Sequence, residues 1–254
     1  MTDLLLQSAA LLLVYMTLAQ AVARLRRRID TVDVAWGLGF LVPTYLVAIK
    51  DYSTRSRVIA TLVTIWGVRL ATHIYLRSRR RGDDPRYAEM TKKWKGKIWP
   101  QAYFRIFLLQ GALIWIISLP IVLASNKVVA SSPDHFLAAG ILIWLIGFLT
   151  ETIADAQLSK LLQIKNRPKV MQTGLWKYSR HPNYFGELTQ WWAIGIIALQ
   201  VSYGWLGLLG PLTLSVLIIF VSGIPPIEKR RAKDPDYRDY QRRTSVIVPW
   251  FPKK

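Results

Sequence analysis

The sequence predicts an all-α polytopic membrane bundle of about seven transmembrane helices, with the N-terminus outside and the C-terminus cytosolic. Three observations predict it. Half of the chain is apolar (52% hydrophobic, mean hydropathy +0.23) although the net charge is +19. The apolar residues gather into runs of about 20, the length that crosses a hydrocarbon core. The positive charge avoids those runs and collects between them, which is the pattern of membrane topology and not of a nucleic-acid surface.

Taken in order, the runs place spans near residues 3–23, 31–49, 58–76, 102–124, 135–157, 185–200 and 205–224. The first has no basic leader and no small-residue cleavage site, so it reads as a retained helix. The sixth is short and begins just after Pro182. Without internal repeats or a Gly/Ser linker, residues 1–254 read as a single integral-membrane domain. Segments 24–30, 77–101, 158–184 and 225–254 hold 28 of the 34 Lys and Arg residues, which places them on the cytosolic side. Lys50, Arg55 and Arg57 run against that trend on the opposite side. A bacterial inner membrane, or an endoplasmic reticulum in a eukaryote, has a cytosolic face of this kind. Cys is absent and only three His occur, so disulfides, thiolate metal sites and a His-based metal centre are not expected.

Ionisable groups inside the spans cost about 2.5–3.5 kcal/mol each on insertion scales and usually have work to do. Asp33, Arg69, His73, Arg105, Glu151, Asp155 and Glu187 all fall in the cytosolic half of the expected bundle. Asp33, Arg105 and Asp155 stand close enough to the interface for solvation alone to account for them. Arg69 suits an ion pair with one of the acids, and His73 a buried structural role. Glu151 and Asp155 share one helix face, near a C-terminus whose dipole disfavours negative charge. A partner rich in donors, either amide and ribose hydroxyl groups or basic side chains, answers that placement. The run Gly174 to Glu187 opens the sixth span at Pro182, where the missing N–H costs nothing. Its free amides, with Lys177, Arg180 and His181, suit a phosphate or carboxylate, and Trp176 and Tyr184 suit stacking on a flat base.

That run, with the two apolar spans after it and the tail from Tyr237 to Pro249, resembles the C-terminal domain of the steroid 5-alpha-reductase family. Nearly the whole chain is similar to bacterial relatives grouped as domain of unknown function 1295. The motifs are Asp33-Val34-Ala35-Trp36-Gly37, Trp66-Gly67-Val68-Arg69-Leu70, Gly82-Asp83-Asp84-Pro85-Arg86-Tyr87, Glu151-Thr152-Ile153-Ala154-Asp155 and Arg180-His181-Pro182-Asn183-Tyr184. The resemblance implies NADPH bound at the cytosolic end and reduction of an activated carbon–carbon double bond in a lipophilic substrate that enters from the bilayer. It implies Glu151 and Asp155 on the cofactor, with Glu where the reductases carry Asn, followed by Asn183 and Glu187. Arg80, Arg81, Arg167 and Lys169 are the expected phosphate ligands. Tyr178, Arg180, His181 and Tyr184 of the basic run, and Tyr237 of the tail, complete the expected cofactor set. Asp33, Trp66 and Arg69 are the expected catalytic group, with Trp66 where the steroid reductases carry a Tyr. A Trp N–H donates a hydrogen bond but delivers no proton.

Two other classes remain open at this point. Isoprenylcysteine carboxyl methyltransferases share an Arg-His-Pro-x-Tyr motif and bind S-adenosylmethionine, but carry paired Glu residues where this chain has Glu228-Lys229. A non-catalytic lipid-binding relative would keep the fold alone. Beyond the substrate, membrane lipids are the expected partners. The basic clusters at 77–81 and 92–97 suit anionic headgroups, and neither nucleic acid nor metal is expected.

Overall fold

The computed structural model describes residues 2–79, 84–126 and 135–253. The described residues are helical, with one isolated bridge between Ser179 and Ser245 and no β-strand. Six helices are long and apolar enough to cross a membrane: Thr2–Leu25, Thr31–Lys50, Thr54–Arg79, Ile98–Ile117, His135–Gln163 and Gly204–Arg231. The fold is therefore the all-α polytopic bundle expected. The expected span at 185–200 is a shorter helix of 17 residues, Pro182–Ala198.

By contacts the chain falls into two compact units, Met1–Ser131 with Ala198–Leu209, and Ser132–Ile197 with Gly210–Lys254. The first unit is built from α1 (Thr2–Leu25), α2 (Thr31–Gly39), α3 (Leu41–Lys50), α4 (Thr54–Arg79) and the short α5 (Pro85–Lys92). It continues through α6 (Ile98–Ala102), a π turn, α7 (Leu108–Ile117) and α8 (Leu119–Leu123). Prolines account for two of its breaks. Pro43 has no N–H for the carbonyl of Gly39, so α2 and α3 separate there, and the Thr44 hydroxyl donates to the Phe40 carbonyl at 2.7 Å. Pro120 separates α7 from α8 in the same way.

Glycine sets how closely α2 and α4 approach. A methyl group on Gly37 would lie 3.0 Å from the Gly67 carbonyl oxygen, and one on Gly67 would lie 2.7 Å from that of Gly37. Apolar burial against lipid gives helices little reason to associate, so such close backbone packing is what holds them together. Trp66, 1% exposed, fills the core beside this crossing, edge-on to Phe40 at 5.3 Å.

The second unit repeats the device. It contains α9 (His135–Gln163), a 3-10 turn at Gly174–Lys177, α10 (Pro182–Ala198), α11 (Leu209–Val216), α12 (Ile224–Arg231) and α13 (Pro235–Arg243). Gly147 on α9 meets Gly186 on α10. A methyl on Gly186 would stand 2.5 Å from the Glu151 amide nitrogen and 2.6 Å from the Gly147 carbonyl oxygen. The crossing brings Glu151 and the polar residues of α10 together.

Candidate functional site

Each unit carries a charged cluster beside its glycine crossing. In the first unit Asp84 caps α5, accepting from the Arg86 amide at 2.9 Å, with Pro85 in the first turn. That cap presents Arg86 and Tyr87 to Asp33 on α2. Arg86 Nη2 lies 2.7 Å from Asp33 Oδ2, and the Tyr87 hydroxyl donates to Asp33 Oδ1 at 2.6 Å. Burial acts to raise the Asp84 carboxyl, but the hydrogen bonds and charge of Arg86 outweigh it and hold Asp84 below the usual carboxylate range. Burial first, and then the Asp33 charge, push the Tyr87 phenol well above its ordinary value, so it stays a protonated donor.

In the second unit the α9–α10 crossing is lined by acids and amides. Gln190, 1% exposed, donates to Glu151 Oε2 at 2.7 Å, and Asn183 donates to Asp155 Oδ1 at 3.3 Å. Glu151 is 2% exposed and Asp155 8%. The amide oxygens of Asn183 and Gln190 are buried and meet no donor among the described residues. A ligand bearing hydroxyl or carboxamide donors fits that vacancy in hydrogen bonding.

Glu228 organises a third group. Arg180 grips it through Nε and Nη2, both at 3.0 Å, and gives Nη1 to the carbonyls of Gln241 and Thr244. His181 Nε2 lies 2.8 Å from Glu228 Oε1, and the Tyr237 hydroxyl donates to the same oxygen at 2.8 Å. Gln241 donates to Glu228 Oε2 at 2.5 Å. Arg180 therefore spends its donors within the unit, clamping the C-terminal segment to the mouth of α10. The His181 ring stacks on Tyr184 with centroids 5.6 Å apart.

Where α9 ends, a cleft of about 440 Å³ opens over Leu158 and Leu162. Lys165, Arg167, Lys169 and Arg231 surround it. Arg231 also sits 5.5 Å over the Tyr237 ring. An open, cationic cleft one turn beyond Asp155 suits phosphate groups.

The sequence signature described as "Protein of unknown function (DUF1295)" matches residues 19–244, which include every residue of these clusters. This chain belongs to the DUF1295 family. It is also similar to an uncharacterized protein of Schizosaccharomyces pombe, 26% identical over 249 residues that cover 85% of this chain and 69% of that protein. No solved structure matches it.

Within this DUF1295 protein, the expected cofactor residues Glu151, Asp155 and Asn183 come together, with Glu187 one turn beyond Asn183 on α10. Arg167 and Lys169 share the cleft, while Arg180, His181 and Tyr237 meet on Glu228. Tyr178 packs edge-on to Phe251 at 6.0 Å. Arg80 and Arg81 lie outside the described residues. Of the expected catalytic group, Asp33 meets Arg86 and Tyr87, Trp66 is a core residue, and Arg69 lies on α4, one turn after Trp66. Sequence reasoning missed Gln190, Gln241 and the role of Tyr87, and it did not pair Arg180, His181 and Tyr237 with Glu228. Gln190 had a signal: it lies seven residues after Asn183, on the same helix face, at the start of an apolar run. Tyr87 had none, because its partner is 54 residues away.

Proposed function

We propose that this DUF1295 chain is an NADPH-dependent membrane reductase of an activated carbon–carbon double bond in a lipophilic substrate. One observation carries the reading. Buried carboxylates at Glu151 and Asp155 on α9 meet the amides of Asn183 and Gln190 on α10, whose oxygens take no donor among the described residues, and a cationic cleft lies at the end of α9. The free amide oxygens of Asn183 and Gln190 and the concentrated positive charge of the cleft match a ligand with hydroxyl or carboxamide groups at one end and phosphates at the other. When bound, NADPH supplies hydride to the β-carbon of the double bond. The chain holds the cofactor: Asp155, Glu151 and Asn183 accept its hydroxyl and amide hydrogens, and Arg167, Lys169 and Arg231 meet its phosphates. The remaining parts of the reading are topological. The basic segments face the cytosol, the N-terminus lies outside, and the substrate enters from lipid between the second, third and fourth spans of a bacterial inner membrane.

The test is calorimetric titration of the purified protein in detergent with NADPH and, separately, with S-adenosylmethionine. NADPH binds the native chain, and the paired change Asp155→Ala with Asn183→Ala weakens it at least tenfold. Undetectable NADPH binding, or affinity unaltered by that change, sinks the reading. Binding of S-adenosylmethionine alone replaces it with a methyltransferase, and binding of neither replaces it with a non-catalytic relative.

A further inference from the structure

The residues from Ser245 to Lys253, which follow α13 and its capping Thr244, lie beyond the stretch that matches the family and have a structure of their own. The Arg180 amide donates to the Ser245 carbonyl at 2.9 Å, the Ser179 hydroxyl to that of Ile247 at 2.8 Å, and the Trp250 amide to that of Tyr178 at 2.9 Å. The tail is thus fixed as a bent ribbon along residues 178–180, immediately before Pro182 opens α10.

Its outward face is apolar. Val246, Val248 and Trp250 alternate along the ribbon at 40%, 55% and 71% exposure, and Phe251 follows at 77%. Ser245, Ile247 and Pro249 between them are less exposed, so the outward positions of this segment are the apolar ones. Beside them lies a separate cleft of about 200 Å³, bordered by Lys177, Arg243 and Lys253 together with Gln172 and Thr244. The Lys253 amide donates to the Arg243 carbonyl at 2.9 Å, which holds the ends of this cleft together. Asp239 pairs with Arg243 and, at 3.6 Å, with Arg242, which leaves Lys177 and Lys253 in excess.

We propose that this tail is a binding site for an anionic phospholipid of the bilayer surface. Lys177, Lys253 and Arg243 hold the headgroup phosphate, and Val248, Trp250 and Phe251 lie among the upper acyl carbons. The combination favours lipid over a protein partner for two reasons. Trp and Phe beside basic residues are the composition of the membrane interface, and the excess positive charge of Lys177 and Lys253 at the cleft complements an anionic headgroup. Each cation near such a surface contributes about 1 kcal/mol.

The absence of Cys allows clean labelling. Val248→Cys and Phe251→Cys variants carry an environment-sensitive fluorophore in nanodiscs of zwitterionic or mixed zwitterionic and anionic lipid, with Arg238→Cys on exposed α13 as reference. The tail labels are quenched by a shallow lipid-borne nitroxide and protected several-fold from iodide relative to the reference. The protection is greater in anionic discs, and Lys177→Gln with Lys253→Gln abolishes that difference while the melting temperature holds. Iodide access equal to the reference overturns the proposal. So does protection without nitroxide quenching, which means a protein cover, or equal protection in both lipids, which removes the headgroup site. If inorganic phosphate alone reproduces the anionic effect in zwitterionic discs, the cleft is a free-phosphate site and the proposal also falls.

Discussion

The Tyr87 hydroxyl donates to the Asp33 carboxylate at 2.6 Å, joining the first turn of α5 to the first turn of α2. The Arg86 guanidinium shares the same carboxylate, so Asp33 is held between a neutral donor and a charged one. Tyr87→Phe removes the neutral donor and leaves the ion pair. The expected cost in stability is about 1 kcal/mol, since Arg86 still meets the charge. If the pair serves the reductase chemistry, turnover falls by about a hundredfold, well beyond the stability effect. Melting in detergent and NADPH consumption with an enone substrate separate the two. A loss confined to stability assigns the pair to the fold alone.

Gly186 and Gly147 let α9 and α10 touch along their backbones. Gly186→Ala places a methyl 2.5 Å from a backbone nitrogen, which no rotamer change relieves. The helices must move apart, and the Glu151–Gln190 and Asp155–Asn183 contacts lengthen with them. A destabilisation of about 1–3 kcal/mol is expected, together with weaker NADPH binding. Unchanged melting and binding would falsify the crossing as drawn.

Glu228→Gln leaves Arg180 with its two carbonyl contacts but no counter-charge, and leaves one accepting oxygen where Arg180, His181, Tyr237 and Gln241 share two. Removing one member of a buried ion pair costs about 3 kcal/mol. The tail depends on Arg180, so limited proteolysis should cut the last ten or so residues first. Arg180→Met with Glu228→Gln recovers part of the loss, because no buried charge is then left alone. A double variant no better than Glu228→Gln contradicts the clamp.

Tyr237 also gives the clamp an alkaline limit. Burial, and then the hydrogen bond to Glu228, raise its phenol above the ordinary value of about 10. A group whose folded-state value is raised contributes stability that is complete below the unfolded value and is lost as pH climbs through the folded one. The melting temperature therefore declines as pH rises above about 10. Tyr240, raised chiefly by burial, adds to that decline. The Tyr237→Phe, Tyr240→Phe double variant is less stable at neutral pH but flatter in the alkaline range. An equal alkaline slope in both proteins removes these phenols as the cause.

Periodicity placed Glu151 and Asp155 on one face of a membrane helix, and the Arg-His-Pro-Asn run at the start of another, before any partner was visible. Local signals were sufficient there because a helix face depends only on spacing along the chain. The same reasoning gave Arg180 a phosphate to hold, whereas its guanidinium is occupied by Glu228, 48 residues later. Trp66 was expected near the chemistry because of its motif neighbours, and the Gly37–Gly67 crossing turns it into the core against Phe40 instead.

By itself, then, the sequence determined where the apolar helices lie and which helix faces carry acid. Each of these follows from a residue and its neighbours within a turn or two. Tertiary structure alone decided which polar groups meet: Tyr87 and Arg86 on Asp33, Gln190 on Glu151, and four side chains on Glu228. The reason is steric. Partner choice depends on where two helices can come close enough to touch, and that depends on glycines far apart in the chain meeting face to face.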